Sequence, residues 1–193
     1  MSWYIIAEDR KISVKGLRKF VFPSTLPAVI KPENVIGFGV VWCIENSKPE
    51  CTIIQKVIDS GVQLIDDEYQ QTWEIVDKTE QELEALKNQR LSELAALRYE
   101  HETAGITVNG ANIKTDRESQ AMITGAFNSI QISPSVVIDW KCENEWIQLD
   151  YDSIAFIAKS VGAHVQACFT REKELAALID IDVETDITTG WPT

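Results

Sequence analysis

Thr79-Glu80-Gln81-Glu82 divides this chain. The Thr79 hydroxyl can accept the backbone N–H of Glu82, whose carboxylate reaches back to the start of the turn, a capping box that opens a helix. Leu83, Leu86, Leu91, Leu94 and Leu97 then fall within about 140° of arc at helical spacing, and His101 sits at the centre of that stripe. The pattern predicts an amphipathic helix running to about Thr103. Ala104-Gly105 ends it, since glycine accepts the left-handed cap conformation. The stripe can face the chain's own core or an intersubunit seam, and the spacing fits both.

The residues on either side of this helix start differ in kind. Before it, Trp3–Ala7, Lys11–Val14, Val40–Ile44, Thr52–Val57 and Tyr69–Val76 are β-branched and aromatic runs of strand length. The first two flank Glu8-Asp9-Arg10 as a hairpin. Pro23, Pro27 and Pro32 limit any helix between them to a few turns, and Pro32-Glu33-Asn34-Val35 suits one short turn. Charge divides at the same place. Residues 1–78 carry 9 basic and 11 acidic side chains, a net of −2, and residues 79–193 carry 9 and 19, a net of −10.

Beyond the helix, Asn109-Gly110 lies between β-formers, the residue pair a type I′ hairpin turn demands. Thr115-Asp116-Arg117-Glu118 reads as a second capping box, opening a helix with Met122, Ile123, Ala126, Phe127 and Ile130 on one face and stopping by Pro134. Val136–Lys141 and Trp146–Leu149 form a second hairpin across Glu143-Asn144-Glu145, where Trp140 and Trp146 are expected to pack together. Asp152 is expected to cap a last helix with Ile154, Ile157, Val161, Val165, Cys168, Leu175 and Ile179 inward. The expected fold is α+β: a β-rich domain over 1–77, a helical domain with two hairpins over 78–181, and an acidic tail over 182–193.

Composition and motifs exclude more than they assign. No apolar run approaches the ~20 residues of a membrane span, and the first residues lack the basic-then-apolar pattern of a secretory signal. A net charge of −12 argues against nucleic acid as the main partner. The gaps between Cys43, Cys51, Cys142 and Cys168 are 8, 91 and 26 residues, with no metal-binding spacing; Cys43 and Cys51 could pair only across a hairpin, which a reducing cytosol disfavours. Neither His101 nor His164 belongs to a metal or general-base motif. Asp180, Asp182, Glu184 and Asp186 alternate like a calcium loop, but Thr185 and Trp191 stand where that loop needs glycine and glutamate. Alternation with Ile181, Val183 and Ile187 fits a half-solvated strand better. Phosphate-loop and nucleophile-elbow signatures are missing. Arg10, Lys11, Lys15, Arg18 and Lys19 form either a solvated basic face or a dock for an acidic surface. Six tryptophans suit a core or an interface.

Residues from about Arg90 to Ile181 resemble a domain of unknown function common in tailed-bacteriophage proteins and usually encoded beside tail fibre genes. The resemblance is carried by Arg98-Tyr99-Glu100, Gly105-Ile106-Thr107-Val108-Asn109-Gly110, Thr115-Asp116-Arg117-Glu118-Ser119-Gln120, Trp140-Lys141, Trp146 and Ala163–Phe169. More loosely, Phe22–Pro27, Gly37–Val40 and Tyr69–Asp77 are similar to the front halves of such proteins. The resemblance implies a structural component of a phage tail, at the tail tip, baseplate or fibre attachment, made in the bacterial host cytoplasm and located in the virion tail. The alternative is a tail fibre assembly chaperone absent from the mature virion. A small hydrolase acting on the host envelope is a third reading, with no catalytic constellation to support it. No catalytic residue, cofactor or metal carries over from the resemblance. The implied partners are other tail proteins, the fibre among them, and further copies of this chain, with a trimer suggested by the class. The interface candidates are Leu83, Leu94, His101, Ile187 and Trp191. For the tail, two grooves stay open: one on a neighbouring subunit, making the tail an assembly clasp, and one on its own domain.

Overall fold

Residues 2–79 build a five-stranded sheet. β1 (Ser2–Ile5) pairs antiparallel with β2 (Arg10–Ile12), with Trp3 opposite Ile12 and Ile5 opposite Arg10. One 3-10 turn over Ile6–Glu8 and a left-handed Asp9 connect them. α1 (Val14–Phe20) follows directly, its N-cap Ser13 accepting from Gly16 N–H at 3.2 Å. The second expected strand therefore stops at Ile12. Its last residue, Val14, starts a helix that buries Leu17.

After a turn at Pro32–Val35, β3 (Val40–Ile44) lies on the other side of β1. β4 (Gln55–Ile65) and β5 (Glu68–Asp77) form a long hairpin, and β5 runs parallel to β3, giving the order β2-β1-β3-β5-β4. β4 is almost twice the length expected, for two local reasons. A bulge between Asp59 and Val62, with Gly61 at φ +94°, absorbs an irregularity. Asp66 and Asp67 (φ +49° and +63°) then close a two-residue turn of the kind Asn-Gly usually makes. Trp3, Ile5, Ile12, Leu17, Val21, Val35 and Val40 form the core, with Trp42 edge-on to Trp3 at 5.2 Å.

The computed structural model describes residues 2–133, 135–141 and 146–192. The contacts separate Met1–Thr79 from Glu80–Thr193, and the whole is α+β. In the second unit α2 (Glu80–Thr103) begins one residue after Thr79 and ends before Gly105, whose φ is +92°. β6 (Ile106–Val108) and β7 (Ala111–Ile113) flank Asn109 and Gly110, both at positive φ. α3 (Arg117–Ile132) is capped by Asp116, which accepts from Ser119 N–H at 2.9 Å, and not by Thr115. Thr115 is fully buried and bonded elsewhere. Met122 is half exposed, so the inner face of α3 centres on Ile123 and Ile130.

β8 (Ile138–Lys141) pairs with β9 (Trp146–Leu149), placing Ile147 opposite Trp140 and Lys141 opposite Trp146. Adjacent positions in a strand point to opposite faces. Trp140 packs on the core while Trp146 is 69% exposed with the Lys141 ammonium over its ring, so the expected tryptophan pair does not form. The expected turn at Glu143–Glu145, the helix stop at Pro134, and Cys142 lie outside the described residues. α4 (Tyr151–Ile181) is capped by Asp150, accepting from Ser153 N–H at 2.9 Å, two residues before the expected Asp152.

At 31 residues α4 is about 46 Å long and serves two cores. Its first half, through Ile154, Ile157 and Val161, packs with Val108, Ile113, Ile123, Ile130 and Leu149. Its second half, through Leu175 and Ile179, packs with Leu94 of α2 and with Ile187 and Trp191. Residues 182–192 are a looped strap and not a strand. Asp182 and Asp186 spend their carboxylates on the N–H groups of Glu184 and Thr188, which bends the backbone away from an extended path.

Candidate functional site

Four of the five expected interface residues meet in the second unit. Leu94, Ile187 and Trp191 are buried in one apolar cluster, and the His101 ring stacks on Trp191 at 5.1 Å with an interplanar angle of 7°. Leu83, in the first turn of α2, is half-buried and outside that cluster. The strap is fastened by polar bonds as well. Arg90 donates to Thr185 O at 2.7 Å, Arg171 to Thr189 O at 3.0 Å, and the Trp191 indole N–H to Ile187 O at 2.9 Å. Gly190 (φ +77°) passes so close to Arg171 that a Cβ there would lie 2.8 Å from a guanidinium nitrogen. Of the two grooves open to the tail, its own domain's is the one occupied. The surface that Leu94, Ile187 and Trp191 could offer a second copy is covered from within.

Between the two cores of α4 lies a polar node. Glu102, in the last turn of α2, has 0% exposure. Its carboxylate accepts from Arg98 one turn earlier, from both terminal nitrogens of Arg117 (3.0 and 3.2 Å), and from Gln120 Nε2 at 3.3 Å. Arg98 in turn donates to Glu172 of α4 at 3.2 Å and lies over the Phe169 ring at 4.6 Å. The charges balance: two guanidinium groups face two carboxylates. A buried carboxylate is tolerated only with this degree of pairing.

Backbone bonds lock the same place. Thr115 Oγ1 donates to Glu102 O at 2.6 Å and accepts from Gly105 N–H at 2.9 Å, taking up backbone groups at the C-terminal end of α2. Gln120 donates to Thr115 O at 2.6 Å. Gly105 suits its φ of +92°, and a Cβ there would also crowd Ile113 O at 3.1 Å. One turn away, His164 is buried with Nε2 at 3.1 Å from His101 O; a carbonyl only accepts, so that nitrogen carries the proton. Cys168 Sγ lies 3.8 Å from the same nitrogen, and burial, reinforced by the Glu102 charge, pushes its thiol pKa up. That thiol stays protonated and is a poor nucleophile.

The node is therefore saturated. Glu102 has no oxygen left to take a substrate proton or a metal ion, and among the described residues no group of three or more His, Cys, Asp or Glu side chains could hold a metal. Cys43, Cys51 and Cys168 are free thiols, so the Cys43–Cys51 pairing does not occur. Of the basic cluster, Lys11 pairs with Asp59 at 2.6 Å, Arg10 with Glu8, and Arg18 holds the carbonyls of Leu26, Pro27 and Ala28. No described helix is long and apolar enough to cross a membrane.

Sequence reasoning missed Glu102. The available signal was Arg98 four residues before it, a spacing that more often marks an exposed helix pair. No curated protein and no solved structure matches the chain. A family model described as a domain of unknown function, DUF4376, matches residues 85–189, a span that holds the polar node and the strap as far as Thr189. That match covers more than half of the 193 residues, and the chain belongs to the DUF4376 family.

Proposed function

We propose that this chain is a non-enzymatic, protein-binding component of a bacteriophage tail, at the tail tip, baseplate or fibre attachment. The reading rests on the resemblance carried by Arg98, Gly105–Gly110 and Thr115–Gln120. The geometry supports it in one respect. Arg98, Gly105, Thr115, Arg117 and Gln120 converge on Glu102 and are consumed in holding α2, α3 and α4 together. Residues spent in that way suit a scaffold.

Association with further copies, three in the tail fibre pattern, belongs to the same proposal. Its seam has to use side chains other than Leu94, Ile187 and Trp191, which are buried in their own chain. Sedimentation of the full chain at micromolar concentration tests that part; a monomer throughout overturns it.

Mass spectrometry of purified virions carrying this reading frame tests the tail assignment. Stoichiometric peptides are expected. Their absence, with the protein abundant in the infected-cell lysate and bound to the fibre, replaces the component with an assembly chaperone. Absence from both the virion and any complex with a tail protein overturns the tail assignment altogether.

A further inference from the structure

The first unit contains an apolar groove of about 630 Å³ whose floor is β3. One wall is the 32–39 loop, where Ile36 is 80% exposed; the other is the start of β5 at Tyr69, beyond the Asp66-Asp67 turn. Tyr69 and Trp42 contribute half-buried aromatic surface. Ile36 adds exposed apolar area to the two aromatics, so the groove presents a continuous apolar lining.

The floor is also an open sheet edge. Ile6 N–H donates to Gly39 O at 3.0 Å, so the backbone groups of Gly39 and, by alternation, Val41 and Cys43 face β1. Those of Val40 and Trp42 face the other side. β5 comes into register there only opposite Cys43 and Ile44, because the turn at Asp66-Asp67 reverses the chain before it can reach further along β3. Val40, at 4% exposure, carries its N–H and C=O to that edge, and among the described residues nothing takes them. An unpaired edge is a template for an added strand.

Charge selects the occupant. Asp67 and Glu68 stand at one end of the groove, neither of them in an ion pair among the described residues, while Glu33 on the opposite wall is paired with Lys31 at 3.9 Å. No lysine or arginine lines the groove. An incoming chain gains there by carrying positive charge and loses by carrying negative charge.

We propose that this groove binds an extended peptide segment of a partner protein. The segment adds to the open edge of β3 at Val40, lays an apolar side chain against Ile36 and Tyr69, and brings a lysine or arginine to Asp67 and Glu68. The paired stretch is short, about 10 Å for three residues, so side-chain pockets and charge supply much of the selectivity. This deepens the proposed protein-binding role by naming the partner's chemistry, but it rests on the geometry of the first unit alone. A groove that binds such peptides in a protein missing from virions would leave the groove standing and the tail assignment fallen.

The test is selection of a random 12-residue peptide display library on the immobilised full chain, followed by binding measurements with the enriched peptides made synthetically. The expected peptides combine an apolar residue with a lysine or arginine and weaken as salt rises. Ile36→Asp, and separately Asp67→Lys with Glu68→Lys, are each expected to reduce affinity about tenfold or more. Both sets change exposed side chains, and circular dichroism checks that each variant is folded. N-methylation of the central peptide amide is expected to abolish binding. The proposal is overturned if no peptide is enriched, if the enriched peptides are acidic, if they bind both variants as well as the parent, or if the N-methylated peptide binds unchanged.

Discussion

The two units carry different features: a buried polar node in the second, an apolar groove along a sheet edge in the first. The second unit closes on itself: Glu102, Arg98, Arg117 and Gln120 satisfy one another, and the strap covers the apolar groove between α2 and α4 with Ile187 and Trp191. Apolar side chains stand in solvent in both units, Phe22 and Ile36 at 80% in the first and Ile132 and Ile181 at 84% in the second. What the first unit adds is a β3 edge lying along an apolar groove. The difference separates two jobs that one sequence carries. The family match covers the unit that holds the buried polar node, and the proposed peptide groove lies in the other.

The largest effect that could break this comparison is at Glu102. Glu102→Ala removes the shared partner of Arg98 and Arg117 and is expected to cost the second unit about 3–5 kcal/mol, because four hydrogen bonds to a fully buried carboxylate are lost and a cavity is left. Urea unfolding of the full chain, followed by circular dichroism, measures it. Next comes Trp191→Ala, which deletes the strap's anchor and its stack on His101. A loss of about 3 kcal/mol is expected, at the lower end for a buried tryptophan because Trp191 keeps 8% exposure. Both losses belong to helical signal.

Acid should treat the units alike, which sharpens the contrast with Glu102. In the second unit, hydrogen bonds from Ser119, Ser153 and Thr188 hold the Asp116, Asp150 and Asp186 carboxyls below the ordinary value of 3.8; in the first, the Lys11 bond does the same for Asp59. A depressed folded-state pKa stabilises the fold above the unfolded value, and that contribution is lost as pH falls through the folded value. Both units should therefore hold their stability above about pH 4 and lose it progressively below, as thermal melts at a series of pH values would record. Within the second unit, Asp116→Ala is expected to lower the melting temperature and Asp116→Asn to restore most of it, because asparagine caps a helix without charge. The smallest effect is Ile36→Asp, expected to change stability by no more than about 0.5 kcal/mol, since its side chain already faces water.

Much of the architecture was legible because its signals are local. The start and end of α2, the five residues of β3, and the Asn109-Gly110 turn depend on neighbours within a few positions, and all appear where the pattern put them. The caps lie one or two residues from where the pattern puts them, at Asp116 beside Thr115 and at Asp150 before Asp152, because neighbouring side chains are also able to cap. Thr115 was taken from capping by a partner 13 residues earlier, the carbonyl of Glu102. The Asp66-Asp67 turn was illegible because aspartate only tolerates positive φ where glycine invites it. Glu102 was illegible for a related reason. Its partners Arg117 and Gln120 lie 15 and 18 residues downstream, and only the fold brings them together.

Native-state hydrogen exchange of the full chain, parent against Glu102→Gln, tests the central claim that the polar node is a structural lock on the second unit. Glutamine keeps the shape and removes the charge, leaving the two guanidinium groups with Glu172 alone among the node's carboxylates. A loss of about 3 kcal/mol corresponds to roughly 100-fold faster exchange in the most protected amides of α2, α3 and α4, with the strands of the first unit unchanged. Unchanged protection in those three helices would contradict the account, because a buried carboxylate that can be neutralised without cost is not what holds them together.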